Sequence, residues 1–369
     1  MVKLRIMKTI KLITFLLLIS SSGCKNKIEA DLISHNGTIY SIDDNNNIYE
    51  AIAVKNGKII ALGKNDQILN KYTSENNIDL KGFTVFPGFI DAHCHFLEYG
   101  LQKNMIDVSD AQSFKEIIEL LKLNQNKVAN EWLVGYGWDQ NKWGDKNWPN
   151  NKLLNENFKN INVILKRIDG HVIMANQKAI QSLKIPIDTI ISGGYIEKID
   201  DVVTGLFVDK AMSLILDRLP ESDEISKKKA ILKAQSDCLA FGLTTIDIAG
   251  LNKKDIDLLE KLHSTDELKI KVYAMLSNNE ENFKFYIDSI GHPYKTKKLN
   301  VRSFKFFADG SLGSRGACLL KPYSDQENSY GMLLQKKELF EKKLRKLKSA
   351  GFQACTHSIG DSTNRSVLK

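Results

Sequence analysis

The stretch Phe86-Pro87-Gly88-Phe89-Ile90-Asp91-Ala92-His93-Cys94-His95 sets two imidazoles two residues apart. β-Branched and aromatic residues at 84–86 lead in, Pro87 and Gly88 interrupt, and 89–95 reads as a second extended piece. Alternate side chains of a strand share a face. His93 and His95 therefore point together with Asp91 one step below, while Ala92 and Cys94 face the other way. Neighbouring imidazoles at a strand end are a ready pair of metal ligands; the same spacing also fits surface or satisfied core histidines. A lysine raises a second question. In Val301-Arg302-Ser303-Phe304-Lys305-Phe306-Phe307, alternation puts Ser303, Lys305 and Phe307 on one face and Phe304 and Phe306 on the other. Burial disfavours the ammonium form and frees the amine as a nucleophile. A free amine can take up carbon dioxide and become a carbamate, an anionic oxygen ligand able to bridge two ions. A lysine that snorkels to a barrel mouth or pairs with a carboxylate fits the same pattern. Cys355-Thr356-His357 ends a further strand with an imidazole at its C-terminal tip, where barrel enzymes place their chemistry.

These groups need strands to hold them. Residues 30–42 alternate and stop at the turn cluster 43–47, and 48–54 and 58–62 flank Asn56-Gly57 as a hairpin. From residue 222 the pattern is regular. A helix over 222–241 has Asp223 and Glu224 in its first turn, where carboxylates suit the dipole, and Gly242 ends it. Strands at 243–248, 270–276, 301–307 and 352–357 then alternate with helices at 253–263, 280–290 and 336–348. The last helix gathers Leu339, Phe340, Leu344 and Leu347 on one face, with Gly351 as its C-cap. This alternation predicts a parallel α/β layout. With the histidine strand it supplies five of the eight strands of a closed barrel. Residues 109–220 are too long for a simple crossover and read as an insertion. They hold a helix over 114–123 and all four tryptophans, at 132, 138, 143 and 148.

The chain has 369 residues, 43% of them hydrophobic, and a formal net charge of +8. That length suits two or more domains. The lysines are scattered or lie in helical runs such as 227–229 and 342–348, which read as solvated helix faces. No basic stripe with interleaved aromatics suggests nucleic acid. Five cysteines match neither a zinc knuckle nor a disulfide framework. At the start, Lys3, Arg5, Lys8 and Lys11 precede an apolar run over 12–19 that is short for a membrane span. Ser20-Ser21-Ser22-Gly23 then leads to Cys24. This resembles a bacterial lipoprotein signal, although Ser21 stands where leucine is usual. It implies cleavage before Cys24, lipidation of that residue, a linker over 24–29, and a protein anchored in the cell envelope outside the cytoplasm.

The histidine stretch resembles the Pro-Gly-x-Ile-Asp-x-His-x-His run of the amidohydrolase superfamily. Gly137-Trp138-Asp139 with Trp143, Arg167-Ile168-Asp169-Gly170-His171 and Thr204-Gly205-Leu206 resemble, in this order, motifs of amidohydrolase family 3, which includes N-substituted formamide deformylase. Lys305-Phe306-Phe307-Ala308-Asp309-Gly310-Ser311-Leu312-Gly313-Ser314-Arg315 and His357-Ser358-Ile359-Gly360-Asp361 are similar to the family's fourth- and fifth-strand signatures. The resemblance implies a (β/α)8 metal-dependent hydrolase barrel over 84–369, preceded by a small β-sandwich part over 30–83. It implies His93, His95, Lys305 and His357 as ligands of one or two divalent ions, zinc above all, with Lys305 carboxylated as the bridging ligand. It places Trp138, His171, Asp309 and Arg315 at the pocket of a small-molecule substrate, and Asp361 at a helix cap or behind a histidine. The implied reaction is hydrolysis of a non-peptide carbon–nitrogen bond, of amide or formamide type, by metal-activated water. A mononuclear deaminase-like member is a rival that Lys305 argues against. The pattern also calls for a histidine on the sixth strand and a general-base aspartate on the eighth, both beyond Lys369. The expectation is therefore an incomplete barrel with an open edge, poor solubility and no activity as it stands, or an inactive lipoprotein remnant. Nothing in the sequence speaks to oligomeric state.

Overall fold

A computed structural model describes residues 27–128, 131–191, 193–220 and 222–369. The signal segment and Cys24 lie outside the described residues. The chain divides into two compact units, residues 1–89 and 90–369.

The first unit holds a two-stranded ribbon and two larger sheets. One runs in the order Lys58–Gly63, Ala51–Lys55, Leu32–His35, Asn77–Asp79; the other in the order Ile48–Tyr49, Thr38–Tyr40, Thr84–Val85. Asn56 and Gly57 both adopt positive φ, at 52° and 68°. That backbone twist lets a two-residue turn join the paired strands Ala51–Lys55 and Lys58–Gly63. The strand expected over 30–42 breaks at Asn36, whose φ is 59°, and its two halves enter different sheets. Ala30, Ile33, Ala51, Ala53, Ile68 and Tyr72 form the core of this unit. Two assignments shift. Ile28–Glu29, expected in a linker, pairs in parallel with Tyr72–Thr73. Thr84–Val85, expected to lead into the barrel, pairs with Thr38–Tyr40.

The second unit is built on two six-stranded sheets. The first contains β1 (Phe89–Cys94), β2 (Leu243–Leu251), β3 (Lys271–Ser277), β4 (Leu299–Phe307) and β5 (Gln353–His357), in that spatial order. β2, β3, β4 and β5 pair in parallel, and the short strand Tyr294–Lys295 joins β4 antiparallel. Helices Glu224–Ala240, Lys253–Ser264 and Lys337–Ser349 supply apolar faces to its core. Phe304 and Phe306 of β4 are fully buried there: Phe306 packs edge-on to Phe340 with centroids 5.5 Å apart, and Phe304 to Phe352 at 5.4 Å. Alternation then turns Ser303, Lys305 and Phe307 to the other face. Register sets Lys305 beside Cys355 and Phe307 beside His357.

The insertion folds as the second sheet, in the order Ile106–Asp107, Trp132–Trp138, Asn162–Arg167, Val172–Ala175, Val202–Asp209, Gly194–Ile199. Its first joins are parallel and the rest antiparallel. Apolar residues pack on both of its faces. Leu133, Val163, Leu165 and Val208 belong to one buried cluster, and Ile164, Ile173 and Phe207 to another. A sheet covered on both sides explains its near-continuous apolar strands.

Candidate metal centre

β1 ends at Cys94, and His95 follows with φ −114° before helix Phe96–Gln102 begins. The Asp91 carboxylate accepts the His93 backbone N–H at 3.1 Å, which stiffens the strand end. The His93 and His95 rings lie 5.6 Å apart, nearly edge to face, and both residues are exposed at the mouth of the sheet. Lys305 reaches the same mouth from β4. It is 4% exposed, its Nζ is 3.3 Å from His93 Nε2, and the Phe307 ring lies 5.2 Å from that nitrogen. His357 comes from the tip of β5, with its ring 5.3 Å from that of Phe307. Its Nε2 lies 3.2 Å from the Gly310 carbonyl, and Nδ1 has no hydrogen-bond partner among the described residues.

The four groups share an electrostatic state. Burial pushes the Lys305 amine below its ordinary value, opposed only by Cys355. Desolvation first, then the charge on Lys305, holds His93 below the usual histidine range. The same desolvation lowers His95, followed by the charges of His93 and Lys305. It lowers His357 too, against a raising contribution from the Gly310 carbonyl and ahead of His171 and Lys305. Each group therefore favours its neutral, lone-pair-bearing form, the form a metal ion binds. Among the described residues, no three His, Cys, Asp or Glu side chains stand close enough to hold an ion as placed. The donor types fit a divalent ion. Three neutral imidazoles leave its charge uncompensated, and an anionic Lys305 carbamate would both supply charge and extend the lysine's reach.

The expected pocket residues part company. His171 stands at the site: its ring centroid is 5.2 Å from that of His357, and its Nδ1 is 2.7 Å from Asp209 Oδ1. Trp138 does not line an opening. It is 1% exposed, its Nε1 donates to the Leu165 carbonyl at 3.2 Å, and it packs against Trp143 and Trp148, because so large a ring is held by the core of the inserted sheet. Asp309 is also wholly buried. Its carboxylate accepts the backbone N–H groups of Cys318, Ile359 and Gly360 at 2.8–2.9 Å, so it ties the loop after β4 to the chain after β5 instead of meeting a ligand. Arg315 bonds Asp325 at 2.5 Å and the Gly313 carbonyl at 2.9 Å and lies over Trp148, with no contact to the imidazole cluster among the described residues. Asp361 accepts the Leu320 N–H at 2.9 Å and opens the helix Asp361–Val367 as its first residue.

Two residues carry roles that sequence reasoning does not assign. Asp209 gives no local signal, since its partner is 38 residues away. Arg167 is visible in the sequence as a motif residue only. It is 3% exposed, donates to Gln140, Asp139 and Asp169 at 2.9, 2.7 and 2.5 Å, and its Cζ lies 5.8 Å from the ring centroids of both Trp138 and Trp148. Asp169 also accepts the Ser311 hydroxyl at 2.5 Å, which joins the inserted sheet to the loop that follows Lys305.

Residues 77–369 match the amidohydrolase family. The chain is 29% identical over 346 residues to the provisionally named amidohydrolase YtcJ of Bacillus subtilis, covering 91% of this chain and 65% of that protein. It is 24% identical over 248 residues to the N-substituted formamide deformylase of Arthrobacter pascens, covering 64% of this chain and 46% of the relative. The structure of an uncharacterised metal-dependent hydrolase from Pyrococcus horikoshii superposes with a TM-score of 0.68 at 28% identity, covering 91% of this chain and 66% of that one. The chain thus spans about two thirds or less of each of these three proteins.

Proposed function

This chain belongs to the amidohydrolase family, and from that premise we propose that it carries the metal centre of a hydrolase of non-peptide carbon–nitrogen bonds. The formamide-type substrate follows the Arthrobacter pascens deformylase, and the metal dependence follows the Pyrococcus horikoshii hydrolase. The observation that carries the reading is Lys305, a buried amine with no carboxylate partner among the described residues, set against His93. A structural lysine at such a place would be paired or would reach solvent. Burial favours the unprotonated amine, whose Nζ can bond the carbon of carbon dioxide and lose one proton to leave a carbamate with one negative charge. His93, His95 and the carboxylated Lys305 would hold one or two divalent ions, zinc among the candidates, with His357 offering Nδ1. Ions bound there would supply Lewis acidity and an activated water. The exposed mouth at His93 and His95 admits a small substrate.

The test is zinc content after loading the full chain in bicarbonate and dialysing. Wild type should keep one or two equivalents and release formate from N-methylformamide. Lys305→Ala and His93→Ala should each keep about tenfold less zinc, equivalent to about 1.4 kcal/mol. Equal retention by Lys305→Ala would overturn the reading. From the first 24 residues alone we further propose a lipid-bearing Cys24 at the start of the mature envelope protein. Mass spectrometry of detergent-extracted protein should find an acylated N-terminal Cys24. A chain beginning at Met1 in the membrane fraction would contradict it.

A further inference from the structure

The inserted sheet delivers a histidine to the site together with a group that fixes its orientation. Asp209 ends the strand Val202–Asp209 with φ 48°, a left-handed conformation that costs a non-glycine residue energy. Its backbone N–H donates to the His171 carbonyl at 2.9 Å, and its Oδ1 meets His171 Nδ1 at 2.7 Å. The carboxylate has no solvent exposure, and its Oδ2 has no hydrogen-bond partner among the described residues. Glycines make room for it. A Cβ on Gly310 would lie 2.7 Å from Oδ1, and one on Gly316 would collide with Oδ2. Strain, burial and two glycines therefore converge on holding this one acceptor against His171. A carboxylate can only accept, so Nδ1 carries the proton and Nε2 presents its lone pair. Nε2 has no hydrogen-bond partner among the described residues, and the ring stands 5.2 Å from that of His357.

We propose that His171 Nε2 is the acceptor for the substrate's N–H, with Asp209 as the positioning residue that fixes the tautomer. The inference rests on the amide reading above and narrows it. The site takes primary or secondary amides and formamides, whose nitrogen carries a proton, and discriminates against tertiary amides and esters, which would leave Nε2 without a donor.

The test is ¹⁵N-histidine NMR on the full, metal-free chain, in which seven histidines keep the spectrum simple and His171→Asn assigns the signal. At a pH where the spectrum shows the ring neutral, His171 should show only the Nδ1–H tautomer. An Nε2–H tautomer would overturn the proposal. Asp209→Asn, which offers both a donor and an acceptor, should populate both tautomers. N-Methylformamide should shift His171 Nε2, and N,N-dimethylformamide should shift it by less than about a tenth as much. No response to either, or an equal response to both, would overturn the proposal. Zinc retention is read separately on His171→Asn. Loss of zinc by wild type would sink the hydrolase reading and leave the tautomer result standing, and an unexpected tautomer with zinc retained would do the reverse.

Discussion

Lys305 in the parallel sheet and Arg167 in the inserted sheet are buried to nearly the same degree, at 4% and 3% exposure, and are surrounded in opposite ways. Arg167 is fully compensated, by two carboxylates, an amide oxygen and two indole faces. Lys305 meets an imidazole and a phenyl ring and, among the described residues, no carboxylate. A guanidinium cannot shed its proton, so its burial demands partners. An amine can, and an apolar niche favours its neutral form. The first arrangement stabilises a fold; the second holds a reactive group ready. The inserted sheet thus braces the loop after β4 through Asp169 and Ser311, and β1, β4 and β5 present neutral donors at its side.

The comparison breaks most easily at Arg167. Arg167→Met should destabilise the inserted sheet by about 3–5 kcal/mol, because it strands Asp139 and Asp169. All four tryptophans lie between positions 132 and 148, so tryptophan fluorescence in urea reads this region alone. An unchanged midpoint would mean that the pairing contributes nothing. Asp309→Ala comes next, at about 3 kcal/mol, since three backbone N–H groups lose a charged acceptor at once. Hydrogen exchange at Cys318, Ile359 and Gly360 should accelerate. Protection equal to wild type would show that Asp309 is dispensable. Lys305→Met should run the other way, leaving stability unchanged or raising it by about 1 kcal/mol while zinc retention falls. A loss as large as that at Arg167 would erase the distinction between the two sites.

Protonation gives the smallest effect. His93, His95 and His357 all have folded-state values below the ordinary 6.5, so the unfolded chain binds these protons more readily. Stability should fall as the pH drops from about 6.5 towards the lowered folded-state values, and should recover on raising it. Lys305 acts in the same sense, with stability rising between its lowered value and the ordinary 10.5. Urea midpoints across this range should flatten in His95→Gln. An unchanged slope would show that the His95 ring does not titrate differently in the folded and unfolded chain.

What the sequence disclosed was local. Period-two alternation placed Lys305 opposite Phe304 and Phe306, and Asn56-Gly57 marked the hairpin, because both depend on neighbours along the chain. The six strands of the inserted sheet, five of them within 109–220, escaped. Trp132–Trp138 carries Gly135 and Gly137, Gly137 with φ 102°, and glycines blur a strand pattern. Trp138 and Asp309 looked like ligand contacts because an aromatic and a carboxylate in a motif suit either role, and only burial separates them. Asp209 was invisible because its meaning lies in His171, Gly310 and Gly316, which the fold alone brings to it.

The most direct test of the central claim is a crystal structure of the zinc-loaded full chain, grown with bicarbonate and phased at the zinc edge. It should show metal density bounded by His93, His95 and His357, with a carboxylated Lys305 reaching into it. Zinc bound elsewhere, or an unmodified Lys305 turned to solvent, would contradict the account.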